Sequence, residues 1–153
     1  MPFTVTTGND VSNTGGNNDR PNQIGDWHVA DPGASRWFNP CTRLANGALR
    51  NCQAGDTPAW EIPASGQFGN VGRNSLHGDG LKNFDFGLYR SLRITERQSL
   101  QLRAEAFNLT NHPNFYFPNQ NASSSAFGTI SRAAFQSQTG AQRQIQFALK
   151  YLF

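Results

Sequence analysis

The residues of this sequence best suited to proton chemistry near neutrality are His28, His77 and His112, with Glu61 and Asp79 among the acids nearby in the chain. Each histidine stands in a segment that reads as loop, and no HExxH or nucleophile-elbow pattern surrounds any of them. The chain is therefore not expected to be an enzyme, and His112 in N-H-P-N reads as a turn residue at a strand end. Asp10, Ser12, Thr14 and Gly15 follow the opening of a calcium loop, but the twelfth position, where a bidentate Glu belongs, is Pro21. A solvated loop is the favoured reading there, and neither a metal nor any cofactor is expected. Gly66 to Gly80 is glycine-rich without Walker spacing or a following Lys-Ser/Thr, which points to backbone turns and not to phosphate binding. Cys41 and Cys52 lie either side of an Asn46-Gly47 turn signal with no histidine pair near them, a poor zinc pattern. Their spacing favours a disulfide on an oxidising surface over free thiols. Trp27, Trp37 and Trp60 are candidates for stacking on a flat ligand, although packing the loop together is the favoured role.

The elements around these residues follow one plan. The chain has 153 residues, of which 15% are charged, with 15 Gly and 8 Pro, a composition rich in turns. Charge is uneven. Residues 1–80 hold five arginines against seven acids, a net −2, and residues 81–153 hold eight basic residues against three acids, a net +5. The basic residues are spread singly along strands, so a nucleic-acid partner is not expected.

The last eleven residues, R-Q-I-Q-F-A-L-K-Y-L-F, place Ile145, Phe147, Leu149, Tyr151 and Phe153 at every second position. Alternation of this kind makes a strand with one apolar, aromatic face. About ten residues is the length a tilted strand needs to cross a bilayer. Upstream, Phe84, Phe86, Leu88, Leu92 and Ile94 share one face, with Arg90 the exception on it. At mid-bilayer Arg90 would cost about 2–4 kcal/mol, but its place near the strand end lets it snorkel to the interface. Thr95–Gln98 is a short turn. Leu100, Leu102, Ala104 and Ala106 then alternate with Gln101, Arg103 and Glu105, and the two charges face inward. The phase slips after Ala106, which a bulge near 106–108 or the end of the span would explain. Residues 111–142 read as loop again. Residues 1–7 read as the tail of a strand, and residues 20–80 lack sustained periodicity over a length too great for a connection inside a compact soluble domain.

The expected fold class is all-β: terminal antiparallel strands of a transmembrane β-barrel with long extracellular loops, the barrel not closed by this chain alone. Residues 1–80 would be the end of an upstream strand plus a large extracellular loop. Residues 81–153 would be three transmembrane strands with one periplasmic turn and one extracellular loop. Short periplasmic turns and long outer loops are the rule in such barrels. Met1 and Pro2 lead straight into F-T-V with no secretory leader, so the chain is expected to be a fragment of a longer one.

The motifs G-N-V-G-R-N-S-L-H-G-D-G-L-K-N-F-D-F-G-L-Y-R, R-I-T-E-R-Q-S-L-Q-L-R-A-E-A-F-N-L-T-N-H-P-N-F, F-G-T-I and the closing R-Q-I-Q-F-A-L-K-Y-L-F resemble the carboxyl-terminal end of TonB-dependent outer-membrane receptors. The Oar-like group, which carries an amino-terminal carboxypeptidase-regulatory-like domain, is the most similar. The earlier N-D-R-P-N and W-F-N-P also resemble that group's large outer loop. The resemblance covers nearly the whole chain and is specific over roughly the last seventy residues. It implies a bacterial outer-membrane location and a plugged barrel of about 22 strands that takes up a scarce small-molecule ligand, saccharide or peptide-derived. The partners it implies are outer-membrane lipid, the barrel-assembly machinery and the TonB complex, the last reached through the missing amino-terminal part. Phe147, Leu149, Tyr151 and Phe153 would form the barrel-assembly signal. The alternative reading is a non-transporting surface module for binding or adhesion, or a degenerate remnant.

Overall fold

The structure, a computed structural model, describes residues 1–131 and 142–153. Every regular element among the described residues is a strand, and the chain divides into two compact units. One comprises Met1–Asp79 and Phe115–Arg132, the other Gly80–Asn114 and Ala133–Phe153.

The first unit is built from six two-residue strands: β1 (Pro2–Phe3), β2 (Asn22–Gln23), β3 (Thr42–Arg43), β4 (Leu49–Arg50), β5 (Trp60–Glu61) and β6 (Leu76–His77). β1 pairs with β6, and the other four form a sheet in the order β2-β5-β3-β4. Such short ladders cannot hold a unit together, so packing must. Phe3, Val5, Phe38, Trp60, Val71, Leu76, Ala122 and Phe127 form its buried core. The Phe38 and Phe127 rings meet edge to face at 4.9 Å, and Trp60 stands edge-on to both at 5.9 and 6.0 Å, a geometry that favours aromatic pairs beyond area alone.

Residues 1–7 contain the short strand β1 of the first unit. Phe3, Val5 and Thr7 point into the core, and β1 pairs with β6 through Pro2↔His77 and Phe3↔Leu76. Residues 115–131 also do more than link strands. Ala122 N–H donates to Thr6 O and Thr6 N–H to Gln120 O, which brings Phe127 into the core. Residues 132–141 of the loop expected over 111–142 lie outside the described residues.

The second unit is a three-stranded antiparallel sheet in the order β7-β8-β9, with β7 at Phe86–Arg93, β8 at Ser99–Phe107 and β9 at Gln144–Leu152. The hairpin between β7 and β8 closes where Ile94 and Thr95 N–H donate to Gln98 O. β8 ends at Phe107 because Asn108 takes the left-handed conformation, φ 49°, which Asn tolerates better than most residues. The phase slip is thus a strand end and not a bulge within the ladder. Asn108 then ties the following turn. Its Nδ2 donates to His112 O, its Oδ1 accepts from His112 N–H, and its own N–H donates to Asp85 Oδ1.

Candidate functional site

Register decides what the terminal sheet can do. Phe86 pairs with Ala106 and Ala106 with Ile145. Leu88, Ala104 and Phe147 follow, then Arg90, Leu102 and Leu149, then Leu92, Leu100 and Tyr151. Residues directly across a ladder share a face, so four successive rows make one continuous face that is apolar except for Arg90. Much of it is bare, with Phe147 80% exposed and Leu149 65%. Apolar surface of this extent on a water-soluble protein would mark a docking or membrane face. Phe84 and Phe86 stand near one end of the face and Tyr151 and Phe153 at the other, matching the aromatic girdles at the two interfaces of a membrane barrel. The strands run 8, 9 and 9 residues, close to the ~9–11 that a tilted strand needs to span a bilayer.

The opposite face is polar and linked across all three strands. Glu105, only 7% exposed, accepts hydrogen bonds from Tyr89 on β7, from Arg103 two residues before it on β8, and from Gln146 directly across on β9. The Arg103 guanidinium also lies 5.3 Å from the Tyr89 ring centroid, within cation–π range. Gly87 is what makes the arrangement fit. It pairs with Glu105, and a Cβ there would meet the Tyr89 ring at 3.0 Å, so the ring leans into the space the missing side chain leaves. A buried carboxylate needs such partners, because an unpaired one costs far more than it returns. The sequence placed Arg103 and Glu105 inward. That Tyr89 and Gln146, on the polar sides of their own strands, meet Glu105 was not read, yet counting back from the Thr95–Gln98 turn aligns Tyr89 with Arg103 and would have found the first.

The residues of the proposed assembly signal share the bare face. Phe147, Leu149 and Tyr151 lie in its rows, and Phe153 follows β9 at 92% exposed, its ring stacked on Tyr151 at 5.9 Å.

In the first unit, Cys41 and Cys52 form a disulfide at the base of the β3–β4 hairpin, whose Asn46-Gly47 turn puts Gly47 at φ 82°. The three tryptophans separate in role. Trp60 is fully buried and its Nε1–H donates to Asn39 O at 2.7 Å, so none of its ring is open to a ligand. Trp27 and Trp37 pack partly buried against the core, Trp27 stacked on His28 at 3.8 Å and Trp37 donating to His77 O. Packing is the work the structure gives all three.

Several acids of this unit serve as hydrogen-bond acceptors for its loops. Asp10 accepts from the Thr14 and Gly15 N–H groups. The Ser12 backbone N–H holds the Asp19 carboxyl below the usual range, against burial and with help from the Ser12 hydroxyl. Burial acts to raise Asp56, but the Arg36 guanidinium at 2.7 Å and the Gln53 N–H outweigh it and hold the carboxyl low. Among the described residues no three His, Cys, Asp or Glu gather as a metal site requires.

A family model described as an outer membrane beta barrel domain matches residues 1–146. No curated protein and no solved structure matches the chain.

Proposed function

The chain belongs to the outer membrane beta barrel domain family, and from that premise we propose that it is the carboxyl-terminal part of a TonB-dependent receptor that takes up a scarce ligand across the outer membrane. Membership places the protein in the bacterial outer membrane. In this reading lipid covers the apolar face of β7–β9. TonB-driven uptake is the finer step. The observation that carries it is the run of receptor-like motifs through residues 69–115 and 143–153, coinciding with a sheet that presents one apolar and one polar face. In this reading turn 95–98 lies on the periplasmic side, residues 1–80 lie outside, and the polar face with Glu105 lines the lumen. No catalytic step is assigned to the chain.

Growth of two strains tests the proposal, one lacking this gene and one lacking the TonB energiser, on a panel of sole carbon, nitrogen and iron sources. A defect shared on at least one source, restored by the gene only when TonB is present, is the expected result. A defect that TonB removal does not reproduce, or none on any source, overturns uptake.

A further inference from the structure

We propose that a polar groove of about 600 Å³ in the first unit binds a saccharide carrying an acidic group, with Arg73 meeting the acid and Phe68 covering the sugar ring. The inference deepens the uptake reading and rests on it for its place in transport.

The groove is built by four segments locked side by side. Gly69 lies so close to residues 20 and 21 that a Cβ on it would fall 1.9 Å from Arg20 O, an approach only glycine allows. Arg20 Nη1 donates to Val71 O at 2.7 Å, and Val71 N–H donates to Pro21 O. On the other wall the Thr4 hydroxyl accepts from Asn74 N–H at 2.8 Å, and Thr6 N–H donates to Gln120 O. The walls are therefore fixed before a ligand arrives, which lowers the ordering cost of binding.

What the walls leave unused defines the ligand. Arg73 is exposed and no hydrogen bond or ion pair engages its guanidinium among the described residues, nor the side chains of Asn18, Thr6 or Gln120. Both oxygens of Asp19, the groove's carboxylate, are already held by Ser12. Arg20 and Arg73 outnumber that carboxylate among the lining residues, and Arg73 is the cation whose planar fork of donors stands unengaged, suited to a carboxylate or sulfate. Around it stand amides and a hydroxyl that can donate and accept, as sugar hydroxyls require. Phe68 lines the same groove and is 72% exposed. A bare aromatic ring at the edge of a polar groove offers an apolar platform to the C–H face of a pyranose. Neither the tryptophans nor the cysteines contribute. The residues concerned lie partly in the glycine-rich stretch that reads from sequence as turns alone.

The full chain in detergent, titrated calorimetrically with a galacturonate trisaccharide, a sulfated trisaccharide, a neutral galactose trisaccharide and acetate, tests this. At least one acidic trisaccharide should bind at least tenfold tighter than both the neutral one and acetate, and which one binds identifies the acid. Arg73→Gln should bring it down to the neutral level, and Phe68→Ala should weaken it severalfold. Arg73 has no side-chain hydrogen bond or ion pair among the described residues, so its replacement removes none of those that hold the fold there, and Arg97→Gln in the β7–β8 turn is the control that should change nothing. No acidic binding, equal binding of the neutral sugar or of acetate, or binding unchanged by Arg73→Gln overturns the proposal. The titration needs neither TonB nor a membrane. Its failure leaves the uptake reading standing, and failure of the TonB-linked growth test leaves a bound acidic saccharide standing.

Discussion

Asn39 shows how single polar residues hold the first unit together. It is 7% exposed. Its Nδ2 donates to Asp26 O and Thr57 O, its Oδ1 accepts from Cys41 N–H and Arg36, and its carbonyl accepts from Trp60 Nε1. Asn39→Ala would strand several buried partners at about 1–3 kcal/mol for each left unsatisfied. A loss of at least 2 kcal/mol in denaturant unfolding is expected, and a loss below about 0.5 kcal/mol would show that water replaces the side chain. Asp19 gives a pH signature. Its folded carboxyl lies below its ordinary value of 3.8, so its contribution is fully present above that value and is lost as pH falls through the lower, folded value. Asp19→Asn should therefore lower the melting midpoint at pH 7 and make the decline between pH 5 and pH 2.5 shallower than in the natural chain. Parallel melting curves that keep a constant offset across that range would refute it. None of this was legible beforehand, because the partners of Asn39 lie from two to twenty-one positions away and no spacing announces them.

At the scale of the element, the three long strands follow from the sequence almost unaided. Alternation set the faces, Thr95–Gln98 set the hairpin, and these two fix the register because a one-residue slip would turn every apolar side chain to the other face. The first unit was opaque for the opposite reason. Its strands are two residues long, and its core joins Phe3, Phe38 and Phe127 from segments that share no local pattern. The turn signal at Asn46-Gly47 was legible, and so was the cysteine spacing around it. The disulfide found there closes a separation of 11 residues, worth about 3 kcal/mol by loop-closure entropy. Replacing both cysteines by serine should cost about that much in equilibrium unfolding, and reductant should then have no further effect on the variant. The two faces of the sheet give a paired test of lipid exposure. Leu88→Arg puts a charge on the apolar face one row farther from the turn than Arg90, at a cost of about 2–4 kcal/mol near the bilayer midplane, whereas Ser91→Arg adds the same charge to the polar face. Heat-modifiable mobility on gels, which reports assembled barrel, should fall sharply for the first and hold for the second. Equal loss in both would mean that the face assignment is wrong.

At the scale of the whole molecule, the terminal sheet is unfinished as it stands. Among the described residues, β7 and β9 each leave one edge without a partner, and exposed edges recruit other strands. Three strands cannot curl into a barrel, so a closed barrel needs further strands at these edges. We propose that the aromatic end of the apolar face, at Phe153, is what assembly machinery reads. The residue lies past the last ladder pair, Ser99↔Leu152, at 92% exposed, and its only ring neighbour among the described residues is Tyr151. A side chain so bare contributes little to the stability of the sheet, within about 0.5 kcal/mol for a surface position without special contacts. On that proposal its deletion should leave the stability of assembled protein unchanged while lowering the amount that reaches the outer membrane severalfold. Leu152→Ala, which shortens the neighbouring side chain but keeps the terminal aromatic, should leave the amount near normal. Fractionation of outer membranes measures the first quantity, and urea-dependent unfolding of the extracted barrel measures the second. Equal outer-membrane levels with and without Phe153 would show that the apolar face alone, and not its aromatic end, is what directs insertion.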